Sequence, residues 1–220
     1  MNSLHAAVVL ALLFGIVQGA CVDIRGVYET GGAWLTYPTR DGSGQVTSQW
    51  ASLYTDDMTW DVWVRVPSQS VEFQTSVMWT YGANHNTNAY SSSSRRRNIG
   101  VLISNSGTLA VLSFTGLHYY EEYGTNIMDD QWHHVAVVWK RSTTTGVLYI
   151  DGVASATSTY NPGNDNPGMD GQLTLGGGHY GRRIYCSLAN FRMWGKALAA
   201  SEVLLYKDSA DPSIDGTVAF

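Results

Sequence analysis

Between Met58 and Val66 the chain alternates with a period of two. Met58, Trp60, Val62, Val64 and Val66 fall on one face, and Thr59, Asp61, Trp63 and Arg65 on the other. Successive side chains of an extended backbone point to opposite faces, so this spacing predicts a half-buried β-strand. Trp132 to Trp139 carries the same signature, with His133, Val135 and Val137 set against His134, Ala136 and Val138. Ile99–Ile103 and Thr108–Phe114 read as two more strands, joined by a hairpin turn at Asn105-Ser106-Gly107. Gly146 to Ile150 is expected to pair back onto the Trp132 strand, Asp151-Gly152 to turn the chain, and Val153 to Thr159 to continue it. Leu173–Leu175 and Leu188–Trp194 are late strands, and Ala197 to Tyr206 is the one helical candidate, with Ser201 and Glu202 on its outer side. Many short strands at short spacing predict an all-β protein, a two-sheet antiparallel jelly-roll sandwich with one short C-terminal helix.

Composition agrees. Charged residues are 14% of the 220, against about 25% in an ordinary soluble domain, and glycine is abundant at 23. A disordered chain needs the opposite balance of low hydrophobicity and high charge. The N-terminus runs from a short polar start through the apolar stretch Ala6–Val17 to Gly19 and Ala20, the layout of a signal peptide over residues 1–20, cleaved after Gly19 or Ala20. That stretch is shorter than the roughly 20 residues of a membrane span, and no second one follows, so membrane insertion is not expected. Residues 21–220 read as a single domain, secreted and extracellular. The two cysteines, Cys21 and Cys186, are expected to form one disulfide in an oxidising compartment, pinning the start of the domain to a late strand. The net charge of −5 does not favour nucleic acid as a partner.

The most specific segment is Asp130-Gln131-Trp132-His133-His134-Val135-Ala136-Val137-Val138-Trp139. It resembles the W-H-H-V-A strand of the concanavalin A-like jelly rolls in the laminin-G and pentraxin-like group. Leu148-Tyr149-Ile150-Asp151-Gly152 resembles that group's L-Y-x-D-G hairpin, and Leu173-Thr174-Leu175-Gly176 its L-x-L-G strand. Ser187 to Trp194, followed by Ala197-Leu198 and Ser201-Glu202-Val203, resembles its closing strand and helix, and Trp60 to Val64 fits its early core strand. The resemblance covers Met58 to Tyr206 in the right order. The matched residues are mainly structural. His133 and His134 are adjacent on a strand, point to opposite faces and are not expected to share one metal ion.

Catalytic chemistry finds little footing. A glycosidase needs two carboxylates facing each other across the sugar bond. The glutamates are Glu29, Glu72, Glu121, Glu122 and Glu202, and none has a second acid two residues away. No enzyme activity is expected, with a glycan hydrolase or lyase as the outside alternative. The resemblance implies calcium, but where pentraxins carry acids this chain has Arg97 and Asn98, then Gly177, Gly178, His179 and Tyr180. A pentraxin-type calcium site is therefore not expected, and no cofactor is required. A separate calcium loop from Asn164, Asp165, Asn166 and Asp170 competes with a plain turn built from the same residue types.

Arg95, Arg96, Arg97, Arg182 and Arg183 are five of the thirteen basic residues, concentrated in two short segments. Arginine suits planar, bidentate contact with sulfate, carboxylate or phosphate, and Tyr90 and Tyr180 are available to stack on sugar rings. If the resemblance holds, both segments lie on one face of the sandwich. With His179 they form the expected ligand-binding set, competing with simple solvation of a basic loop. The expected function is lectin-like or adhesive recognition of an extracellular glycan or protein, including acidic glycan. The alternative is a structural subunit of a matrix, filament or ring, and a homo-oligomer is compatible with either.

Overall fold

The computed structural model describes residues 21–29, 35–38, 57–68, 75–83, 98–104, 107–114, 118–140, 142–143, 145–159, 171–175 and 185–208. Among the described residues, twelve strands and a helix follow in chain order: β1 (Cys21–Glu29), β2 (Leu35–Pro38), β3 (Asp57–Arg65), β4 (Thr75–Ala83), β5 (Asn98–Ser104), β6 (Thr108–Phe114), β7 (His118–Asn126), β8 (Trp132–Lys140), β9 (Thr145–Ile150), β10 (Val153–Thr159), β11 (Gly171–Leu175), β12 (Ser187–Trp194) and α1 (Ala200–Asp208). They form two six-stranded antiparallel sheets, one ordered β1-β12-β3-β8-β9-β10 and the other β2-β11-β4-β5-β6-β7.

The core lies between the sheets. Met58, Trp60, Val62 and Val64 of β3, Val135 and Val137 of β8, Leu148 and Ile150 of β9, and Leu188, Phe191 and Met193 of β12 meet Val101, Ile103 and Leu175 of the second sheet. The alternation in the sequence thus points the expected set inward. The strand is nonetheless buried on both faces rather than one: Thr59, Asp61 and Trp63 are inaccessible as well. A second small core explains this. Ala136, Val138, Tyr149 and Trp194 on the outer face of the first sheet pack against Leu198 and Val203, with Ala197 and Tyr206 alongside.

The helix starts at Ala200, three residues later than the sequence pattern suggests. Ala197–Ala199 instead form an extended lead-in, fixed where Leu198 N donates to Thr59 Oγ1 at 3.0 Å and Thr59 Oγ1 donates to Lys196 O at 2.9 Å. Glu202 accepts from Ala199 N at 2.8 Å, which is the reciprocal half of a capping box whose other half, a hydroxyl at residue 199, is missing.

Two turns behave as their residues require. Ile150 pairs with Val153 across Asp151 (φ 54°) and Gly152 (φ 81°), the double positive-φ geometry of a two-residue type I′ hairpin. Gly107 (φ 80°) closes the β5–β6 hairpin, and a Cβ there would fall 2.1 Å from Asn126 Oδ1. The alternation fails in β12. Asn190 takes φ 52°, and the register with β3 slips between Ala189 and Arg192. This β-bulge shifts the phase by one residue, so that Leu188, Phe191 and Met193 all reach the core while Arg192 and Trp194 face outward.

The expected Cys21–Cys186 disulfide is corrected by the strand register. Cys21 lies opposite Trp194, at the end of β12, whereas Cys186 immediately precedes Ser187, at its beginning. A strand advances about 3.3 Å per residue, which separates the two cysteines by roughly 25 Å, while a disulfide holds its Cα atoms within about 7 Å. It is the β1–β12 ladder that ties β1 to a late strand.

Candidate functional site

Polar chemistry on the described residues gathers in two places on the first sheet, and the adjacent residues His133 and His134 belong to one each. The buried place lies on the outer face. Asp61 of β3 stands directly across from Arg192 of β12. Asp61 Oδ1 accepts from Arg192 Nε at 2.7 Å and Nη2 at 2.5 Å, and Oδ2 accepts from Trp194 Nε1 at 2.8 Å. His134 Nε2 lies 3.5 Å from Asp61 Oδ1. Arg192 also donates to Tyr206 O at 2.8 Å, and its guanidinium lies over the Tyr206 ring, so the network ties α1 to the sheet.

Burial by itself raises the Asp61 pKa. The His134 hydrogen bond, the Arg192 charge and the Trp194 donor together outweigh it and hold the carboxyl below its ordinary range. Trp63 packs edge-on against His134 at 5.5 Å between ring centroids. Trp60 Nε1, Trp63 Nε1 and His134 Nδ1 are buried with no hydrogen-bond partner. An aspartate–histidine pair invites a catalytic interpretation, but both groups are sealed from solvent and the carboxylate is saturated by donors.

The accessible place is the rim where β8 begins. His133 Nδ1 lies 2.8 Å from Asp151 Oδ2 and Nε2 3.0 Å from Asp129 Oδ1. Asp151 Oδ1 also accepts the backbone N–H of His134 at 2.9 Å, and His134 O accepts from Asp151 N at 2.8 Å. The Asp-Gly turn is thereby latched to the start of β8. The hydrogen bonds to Asp151 and Asp129 raise the His133 pKa against the opposing effect of burial. Beside it, the Arg65 guanidinium lies 5.6 Å over the Trp132 ring, 3.8 Å from Asp130 and 3.4 Å from Ser187 Oγ. Among the described residues no group of three or more His, Cys, Asp or Glu is arranged to hold a metal ion.

The residues singled out from sequence lie elsewhere. Arg95, Arg96, Arg97, Asn164, Asp165, Asn166, Asp170, His179, Tyr180, Arg182 and Arg183 are all outside the described residues. In chain order the first arginine segment lies between β4 and β5 and the second between β11 and β12. Sequence reasoning passed over the rim around Arg65 and Trp132 and the Asp61–Arg192 pair. The available signal was a lone acid and a lone arginine, each inside an otherwise apolar strand, where an unpaired charge is too costly to bury.

The Laminin_G_3 family, the concanavalin A-like lectin/glucanases superfamily, matches residues 40–204. The chain belongs to this superfamily. No curated protein matches its sequence. Among solved structures, this Laminin_G_3 chain is similar to Trypanosoma rangeli sialidase, at 17% identity and a TM-score of 0.58, covering 84% of this chain and 26% of that one. It is similar also to the binding domain of Paraclostridial Mosquitocidal Protein 1, at 17% identity and a TM-score of 0.54, covering 71% of this chain and 38% of that one. A third is domain 4 of AbnA, a GH43 extracellular arabinanase from Geobacillus stearothermophilus, in complex with arabinotriose. There the identity is 19% and the TM-score 0.52, covering 68% of this chain and 66% of that one. At these identities the likeness is one of fold, and the chain spans about a quarter of the sialidase.

Proposed function

We propose that this Laminin_G_3 domain is a secreted recognition module that binds an extracellular glycan or protein and performs no catalysis. The likeness to an arabinanase domain solved with arabinotriose carries this reading. The state of the acids supports it. Asp61 is saturated by Arg192 and Trp194, Asp129 and Asp151 flank His133, Asp130 neighbours Arg65, and Glu202 is held by Lys196. None of these stands ready as the free half of a general acid–base pair. The outer face of the first sheet is occupied by its own small core and network, so ligand contact falls elsewhere. The rim beside Arg65 and Trp132 offers guanidinium and aromatic groups suited to acidic sugars or carboxylates.

A glycan array run with and without calcium, at two salt concentrations, tests the reading. Binding that weakens with salt and is indifferent to calcium is expected; binding that ignores salt contradicts an arginine-built surface. Trp132→Ala is expected to weaken binding, as is replacing the arginines of the two basic segments, Arg95–Arg97 and Arg182–Arg183. Secretion is tested by N-terminal sequencing of the exported protein, which is expected to start at Ala20 or Cys21.

A further inference from the structure

We propose that His133 is a protonation-dependent clasp that binds the connector before β8 to the β9–β10 turn and releases them as pH rises. Each ring nitrogen of His133 faces a carboxylate oxygen, Asp151 Oδ2 at 2.8 Å and Asp129 Oδ1 at 3.0 Å. A carboxylate only accepts, so both contacts are hydrogen bonds only when both nitrogens carry protons. Loss of one proton leaves a nitrogen lone pair facing an oxygen lone pair, and one arm of the clasp becomes repulsive.

The parts that the clasp joins also have supports of their own, and the turn is latched to β8 through His134 N and O. The connector leads from β7 in the second sheet to β8 in the first. It is fixed by Asp130 N donating to Val66 O at 3.1 Å, Met128 N to Asn126 Oδ1 at 2.8 Å and Gln131 N to Asp129 Oδ1 at 2.9 Å. The turn is fixed by Asp151 and by the helix above it, where a Cβ on Gly152 would fall 2.8 Å from Leu204 Cδ1. Asp129 and His133 reach across between them. Among the described residues the charged groups around the clasp are Asp129 and Asp130 on the connector, Arg65 on β3, Asp151 on the turn, and Lys207 on α1, itself paired with Asp208. Arg65 engages Asp130 and Lys207 engages Asp208, which leaves His133 as the cation that Asp129 and Asp151 share.

NMR of the full domain with ¹⁵N-labelled histidine, combined with amide-exchange protection factors, tests the clasp. Two imidazole N–H signals are expected for His133 near pH 6, with a titration midpoint above the ordinary histidine value of about 6.5. The His134 amide, which donates to Asp151 Oδ1, is expected to lose roughly tenfold in protection across that midpoint, as befits one charged hydrogen bond. His133→Gln removes the step. Asp129→Asn, a conservative change on an exposed side chain, lowers the midpoint and keeps a smaller step. A step that persists unchanged in His133→Gln overturns the proposal. So does a single imidazole N–H at pH 6, or a midpoint that Asp129→Asn leaves in place.

Discussion

His133 and His134 are consecutive, and each lies close to at least one aspartate, yet their surroundings make them different devices. His134 points outward from the sheet into a sealed layer, beside an aspartate already gripped by Arg192 and Trp194. His133 points the other way, at the end of the sandwich, where its two aspartates remain partly exposed. The buried network depends on a guanidinium that stays charged at every ordinary pH. The rim clasp depends on an imidazole that does not. Burial therefore sets the size of each contribution, and the identity of the cation sets its pH range.

The largest effect is expected at the buried network. Asp61→Ala leaves Arg192 buried without its counter-ion and is expected to cost about 3–5 kcal/mol, read from urea denaturation midpoints. Adding Arg192→Met is expected to recover part of that loss, because the second change removes the stranded charge.

The bulge that aims Arg192 comes next. Asn190→Val is expected to cost roughly 2 kcal/mol, since a β-branched residue at positive φ is strained, whereas Asn190→Gly changes stability by less than about 1 kcal/mol. Equal losses in the two variants would remove backbone strain as the reason for asparagine.

The rim is smaller and separable by pH. His133→Gln is expected to cost about 1 kcal/mol near neutrality. His133 has a raised pKa in the folded state, so its contribution is complete below the ordinary histidine value and is lost as pH rises through the raised one. The pKa of Asp61 is lowered, so its contribution is present above the ordinary aspartate value and is lost as pH falls through the depressed one. Asp129 and Asp151 are also lowered, giving the clasp an acid limit as well as an alkaline one. Stability measured across pH is thus expected to lose its alkaline limb in His133→Gln and to keep that limb in Asp61→Asn.

The smallest effect is expected at the helix. Ala199→Ser supplies the missing half of the capping box opposite Glu202 and is expected to stabilise by about 0.5–1 kcal/mol.

Much of the sandwich was legible because period-two patterning and turn chemistry are local. The inward set of β3, the β8–β9–β10 meander and the Asp151-Gly152 turn were all readable from residues within a short window. The site was less so. The pairing of Asp61 with Arg192 spans 131 residues, and no window contains both.

Local pattern was enough for eight of the twelve described strands, the inward face of β3 and the superfamily, because alternation and Asp-Gly turns act over a few residues, whereas β1, β2, β4 and β7 carry no such clean signal. Tertiary pairing alone sets the phase slip of β12 at Asn190, the placing of Cys21 and Cys186 at opposite ends of the β1–β12 ladder, and the parting of two adjacent histidines. Each of these depends on register and on what covers a face, and both are set by strands distant in the chain.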